Sequence, residues 1–183
     1  INLKQNINII DQINNYYSKN IYITGKQSVF ILMINAIFHL CNSYKKQYFV
    51  FPNNKSAENF YFKLFDLINS LNIKKKIKLS HSGIKDLNIL HSIKDYDIII
   101  YSVGRFINNL SHKNINLYYN TTYLCDLDYY KSNNLDNVVE YLNSYTRYPH
   151  LTVVFHNSKE NSNVIKFLKY NNKISIIRYF RFK

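Results

Sequence analysis

Short runs of β-branched and aromatic residues recur along the chain, separated by segments in which apolar residues return every three or four positions. The runs read as strands are Ile21–Thr24, Tyr48–Phe51, Lys76–Ser80, Asp97–Tyr101, Thr122–Cys125, Leu151–Phe155 and Ile174–Ile177. Between the second and third lies the clearest helix, with Ala57, Phe60, Tyr61, Leu64, Leu67, Ile68 and Leu71 on one face at i, i+3, i+4 spacing. Strands alternating with helices predict βαβ units, and hence an α/β fold whose parallel sheet of about seven strands is sandwiched between helices. Ile98, Ile99 and Ile100 are apolar without alternation. That pattern predicts a strand covered on both faces and central in the sheet.

A chain of 183 residues is long enough to bury a substantial core and predicts one domain spanning 1–183, since no repeat, low-complexity tract or linker divides it. Charge then changes the picture. The 24 Lys and Arg outnumber the 11 Asp and Glu, for a net +13, and the isoelectric point is about 9.6. Such a surplus points to a polyanionic neighbour, nucleic acid first. The other source of a lysine excess is an AT-rich genome, which suits a chain rich in Asn, Ile, Lys and Tyr with only 3 Gly and no Trp.

Cys41 and Cys125 stand far apart, which supports neither a zinc site nor a disulfide framework and predicts a reduced interior. His39, His81, His91, His112, His150 and His156 show no metal-ligand spacing, so no metal is expected. The apolar stretch Val29–Leu40 is broken by Asn35 and His39 and falls short of the roughly 18 residues of a bilayer span. A soluble chain without a membrane partner is the expectation. The first residue is Ile rather than Met, which suggests an upstream segment removed by processing, an organelle-targeting one among the possibilities.

The candidate chemistry begins where Ile21, Tyr22, Ile23, Thr24 and Gly25 run into Lys26, Gln27, Ser28 and Val29. A phosphate loop of the Gly-x-x-x-x-Gly-Lys-Ser/Thr type needs its second glycine for close backbone approach. It also needs its lysine for the β and γ phosphates and its hydroxyl for magnesium. None of the three stands in register here.

The order of motifs along the strands resembles the first RecA-like domain of DEAD-box RNA helicases over nearly the whole chain. Gln5 precedes Thr24 by about the spacing between the family's adenine-reading glutamine and its phosphate loop. The stretch from Pro52, Asn53 and Asn54 to Ala57 resembles Pro-Thr-Arg-Glu-Leu-Ala, with the arginine replaced by Asn54. Ser82 and Gly83 stand at the Gly-Gly turn, and Ser102, Val103, Gly104 and Arg105 at Thr-Pro-Gly-Arg. Asp126, Leu127 and Asp128 fall at the Asp-Glu-Ala-Asp box, and Phe155, His156, Asn157 and Ser158 at Ser-Ala-Thr. Residues 162–170 and 173–177 resemble the last helix and strand, and the second RecA-like domain is absent from this chain.

The resemblance implies a magnesium role for the first acid of the box and activation of the attacking water by the glutamate beside it. Asp126 keeps the first, and Leu127 cannot perform the second. Gln5, Thr24, Gly25, Lys26 and Asp126 are thus expected to be remnants of a nucleotide site, with no catalytic residue and no cofactor. Backbone-directed RNA contact is a separate matter. Its candidates by resemblance are Asn53, Asn54, Gly83, Ser102, Gly104 and Arg105, joined on charge by Lys74, Lys75 and Lys76. Arg178 to Lys183, where aromatics interleave with cations, is a further contact or a last strand. The tyrosines at 118, 119, 129, 130, 141, 145 and 148 are a docking face or core filling.

The function expected is therefore a catalytically inactive helicase-like domain in a large ribonucleoprotein, an organellar (mitochondrial) ribosome foremost, touching rRNA and neighbouring proteins. A cytoplasmic or nuclear particle is the other placement. One lobe of a divergent ATP-dependent RNA helicase and a protein-only interaction scaffold are the competing readings.

Overall fold

The computed structural model describes residues 19–24, 33, 36–37, 46–84, 95–118, 120–144, 150–156, 161–170 and 175–178. Seven strands follow one another: β1 (Lys19–Thr24), β2 (Gln47–Phe51), β3 (Ile77–Ser80), β4 (Ile98–Ser102), β5 (Thr121–Leu124), β6 (Leu151–His156) and β7 (Ser175–Arg178). They form one sheet in the order β3-β4-β2-β5-β6-β1-β7, and every pairing is parallel. Four helices accompany them: α1 (Asn54–Ser70), α2 (Val103–Ser111), α3 (Ser132–Ser144) and α4 (Ser162–Tyr170). Each observed strand lies within about two residues of its predicted span.

Alternation along the strands deals their side chains to two cores. Phe49, Phe51, Ile98, Ile100, Tyr123, Cys125, Val153 and Phe155 face α1, whose Ala57, Phe60, Leu64 and Ile68 are buried against them. Tyr48, Val50, Ile99, Tyr101, Leu124 and Val154 face the opposite layer, built from Phe106 and Leu110 of α2, Leu135, Val138 and Leu142 of α3, and Phe167 of α4. Ile98, Ile99 and Ile100 are all fully buried, as a strand covered on both sides must be. That strand stands one in from the β3 edge rather than at the middle, which belongs to β5. On the α1 side, Phe49 stacks on Tyr123 at 4.4 Å and 12°, and Tyr123 lies 6.5 Å from Phe155, so three neighbouring strands share one run of rings.

Local chemistry sets the helix limits. The Asn53 side chain accepts the Ser56 N–H at 2.8 Å and starts α1. At its far end Asn72 takes a left-handed conformation, φ 52°, and the Ile73 N–H returns to the Ile68 carbonyl at 3.1 Å. α2 closes in the same way through Lys113, φ 55°, and the Asn114 N–H on Asn109. Leu71, expected on the buried face of α1, is 54% exposed because the helix has ended before it.

Candidate nucleic-acid interface

Parallel strands bring all their carboxyl ends to one rim, where ligands of open α/β sheets are bound. The residues after β2, β3, β4 and β5, four adjacent strands, open there into a groove of about 610 Å3. Pro52, Asn53, Asn54 and Lys55 line it from the start of α1, Ser82 from the turn after β3, and Ser102, Val103, Gly104 and Arg105 from the start of α2. Lys131 and Asn134 close it from the segment after β5. Asn53, Asn54, Ser102, Gly104 and Arg105, drawn from two separate motifs, thus meet in one place, with Gly83 next to the lining Ser82. Three cations line the groove and no carboxylate does, among the described residues.

The wall after β3 is held by an interlocked set of bonds. Arg105 Nη2 donates to the carbonyls of His81 and Ile84 at 3.0 and 3.1 Å, bracing the loop from α2. His81, 5% exposed, receives the Gly83 N–H on Nδ1 at 2.9 Å and lies 2.7 Å from Glu58 through Nε2. An accepting Nδ1 places the ring proton on Nε2, so His81 donates to Glu58 of α1. A Cβ at Gly83 would come within 2.8 Å of His81 Cε1, which requires a glycine in this turn. Asn54 Nδ2 donates to Ser82 Oγ at 3.2 Å and ties the two walls. Gly104 is different, since a Cβ there would meet nothing within 4 Å and would project into open space.

Lys74, Lys75 and Lys76 are not part of this groove. They precede β3 at the amino ends of the strands, where Asp97 Oδ2 accepts the Lys76 N–H at 3.0 Å. Their sign matched the groove, but their place before a strand puts them at the other end of the sheet.

Of the nucleotide-site remnants, Gln5, Gly25 and Lys26 lie outside the described residues. Thr24 ends β1 and pairs in register with His156 at the end of β6, so β6 stands between β1 and β5. Asp126 follows β5 in a left-handed conformation, φ 52° and ψ 48°, which Asp tolerates better than most residues. This bend leads into a 3-10 turn over Leu127–Tyr129. Asp128 sits within that turn, outside the strand. Leu127 is fully buried in the α3 side of the core.

Burial pushes the Cys125 thiol well up, with the Asp126 charge adding to it. Burial likewise raises the Tyr130 hydroxyl, with Cys125 and Asp126 as lesser causes. Tyr130 Oη donates to the Val50 carbonyl at 2.8 Å, and the same oxygen accepts the Cys125 N–H at 2.9 Å. From α4, Asn163 Nδ2 reaches the carbonyls of Leu127 and Asp128 at 3.1 Å and of Tyr130 at 2.6 Å. One amide thus clasps the turn that carries the box position.

Lys131, Asn134, the His81–Glu58 pair and the Asn163 clasp were not singled out by sequence. Lys131 had a readable signal, because it follows a strand at the rim where the other groove residues lie. The tyrosine cluster divides, with Tyr129 70% exposed and Tyr130 only 3%, while Tyr119, Tyr145 and Tyr148 lie outside the described residues. The tail after Arg178 does as well.

No protein-family model matches the chain, and no curated protein sequence does. Solved structures do match. A hypothetical ATP-dependent RNA helicase from Sulfolobus tokodaii is 15% identical and aligns over 97% of this chain and 57% of its own, with a TM-score of 0.66. A DEAD-box protein from Methanococcus jannaschii is 17% identical over 95% of this chain and 48% of its own, TM-score 0.67. The Hef helicase domain of Pyrococcus furiosus is 11% identical over 96% of this chain and 37% of its own, TM-score 0.69. The chain thus spans from about a third to somewhat over half the length of these proteins. Over nearly all of its own length it has the fold of a RecA-like helicase domain, the kind that DEAD-box proteins contain.

Proposed function

We propose that this chain is a helicase-fold domain without ATPase activity, which serves as a structural or assembly part of a large RNA-protein particle. An organellar, mitochondrial ribosome is the placement favoured, with rRNA held through its backbone in the rim groove and neighbouring proteins packed around. The observation that carries the reading is Leu127. An apolar side chain, fully buried in the core, stands where such an enzyme needs a carboxylate beside its attacking water. A second support is the groove, lined by cations and amides without an acid among the described residues, a composition that suits sugar-phosphate contact without sequence reading. The net charge of +13 adds long-range attraction to RNA.

The test is made on purified protein. Titration with labelled ATP and a phosphate-release assay with and without oligouridylate should show neither binding nor turnover. Anisotropy of the labelled RNA should give an affinity that falls with salt, each neutralised phosphate adding about 0.7 to the log-log slope. Gly104→Glu, which places a carboxylate over the groove without touching the core, should weaken that binding. RNA-stimulated ATP turnover by this chain would replace the reading with a divergent helicase lobe. Absence of salt-sensitive RNA binding would replace it with a protein-only scaffold.

A further inference from the structure

Of the groove residues with side chains suited to phosphate, two are engaged elsewhere, and Lys55 stands exposed at the start of α1 on the β2 side. Asn54, at the resemblance's arginine position, bonds to Ser82, and Arg105 is held on the carbonyls of His81 and Ile84. Ser102, by contrast, is only 5% exposed, lines the groove, and makes no side-chain capping bond to α2. The first N–H groups of that nine-residue helix are thus left without a side-chain cap at the groove wall, where the helix dipole favours an anion. Beside them Gly104 leaves open space. Lys131 lines the same groove from the far side, is exposed, and has no carboxylate partner among the described residues.

Resting on the RNA-contact reading above, we propose that Lys131 is the cation that holds a backbone phosphate over the N-terminus of α2, with the Ser102 hydroxyl and the first-turn amides as hydrogen-bond donors. Lys131 belongs to none of the motif positions. It supplies a positive charge from the β5 side of the groove, across from Lys55 on the β2 side. A phosphodiester there meets donors from two elements and one flexible ammonium, which fits a point-charge contact and reads no base.

The experiment compares wild type, Lys131→Ala, Lys131→Glu, Lys131→Arg and, as a control, Lys169→Ala, where Lys169 is exposed on α4. Labelled oligouridylate is titrated at several salt concentrations, and amide spectra are followed with inorganic phosphate and with ATP added separately. Lys131→Ala should lower the slope by about 0.7, the value for one phosphate contact. Lys131→Glu should weaken binding at least about tenfold, while Lys131→Arg and Lys169→Ala stay near wild type. RNA and inorganic phosphate should both move the Val103 and Gly104 amides, and Lys131→Glu should abolish the shift. Wild-type RNA binding that Lys131→Ala and Lys131→Glu leave unchanged overturns the assignment and spares the RNA reading. Shifts produced by ATP alone overturn it in favour of a nucleotide subsite. A wild type that binds no RNA overturns both.

Discussion

Replacing Asn163 tests how the turn after β5 is held. Its amide nitrogen carries two protons and faces three carbonyls at 2.6 to 3.1 Å, all on residues 127–130. The side chain is itself positioned, because the Asn163 N–H donates to Asn161 Oδ1 at 2.9 Å. Asn163→Ala removes both donors and takes from the Tyr130 carbonyl its 2.6 Å bond, while the Leu127 and Asp128 carbonyls keep only the Tyr130 N–H and the longer Asn161 Nδ2 contact. The expected cost is about 1–3 kcal/mol, or a fall in Tm of roughly 2–4 °C per kcal/mol for a domain of this size. Asn163→Asp has nearly the same shape but sets carboxylate oxygens against carbonyl oxygens, so it should cost more than the alanine. Urea unfolding supplies the free energies. Hydrogen exchange supplies the location, since the Tyr129 and Tyr130 amides, bonded to Asp126 and Leu127, should lose protection while β2 amides keep theirs. An alanine variant within about 0.5 kcal/mol of wild type, the range of ordinary surface changes, would refute the clasp. So would equal costs for alanine and aspartate.

Stability should also fall in alkali. Tyr123, Cys125 and Tyr130 are buried with pKa values raised above their ordinary 10.0, 9.0 and 10.0. The native state therefore keeps protons that the unfolded state releases, and the stabilisation is complete below about pH 9 and lost as pH rises above it. Each group adds up to about 1.4 kcal/mol per pH unit, and Tyr130→Phe should flatten the decline measured by urea unfolding between pH 8 and 10.5; a level profile contradicts the burial argument. The two rim glycines should separate as well: Gly83→Ala meets His81 at 2.8 Å and should destabilise the turn after β3 in a thermal melt. Gly104→Ala, with nothing within 4 Å, should leave Tm unchanged or raised, and the reverse order would count against this geometry.

The sheet was legible in the residues because each strand is a compact apolar run bounded by Asn, Asp, Lys or Pro, and alternation then fixes which side chains share a face. The groove was legible in part. Asn53 and Gly104 follow strands and Ser102 ends one, and parallel topology carries strand ends to a common rim without any further information. Partnerships across long separations were not legible. His81 with Glu58, Arg105 with the His81 carbonyl, and Asn163 with the turn at Leu127 depend on how helices settle over the sheet, and no local pattern encodes that. Lys74 to Lys76 show the opposite failure, in which a strong local signal of charge carried no information about direction along the strand.

The lysines before β3 and the groove form two separate basic regions among the described residues. A four- or five-residue strand at about 3.3 Å per residue keeps the two basic regions some 13–17 Å apart, beyond the ~8 Å reach of a charge at physiological ionic strength. They act as two poles that do not sense each other. Under the RNA-contact proposal, one nucleic-acid strand engages both only by wrapping the β3 edge, and otherwise each end of the sheet is left to a separate polyanion.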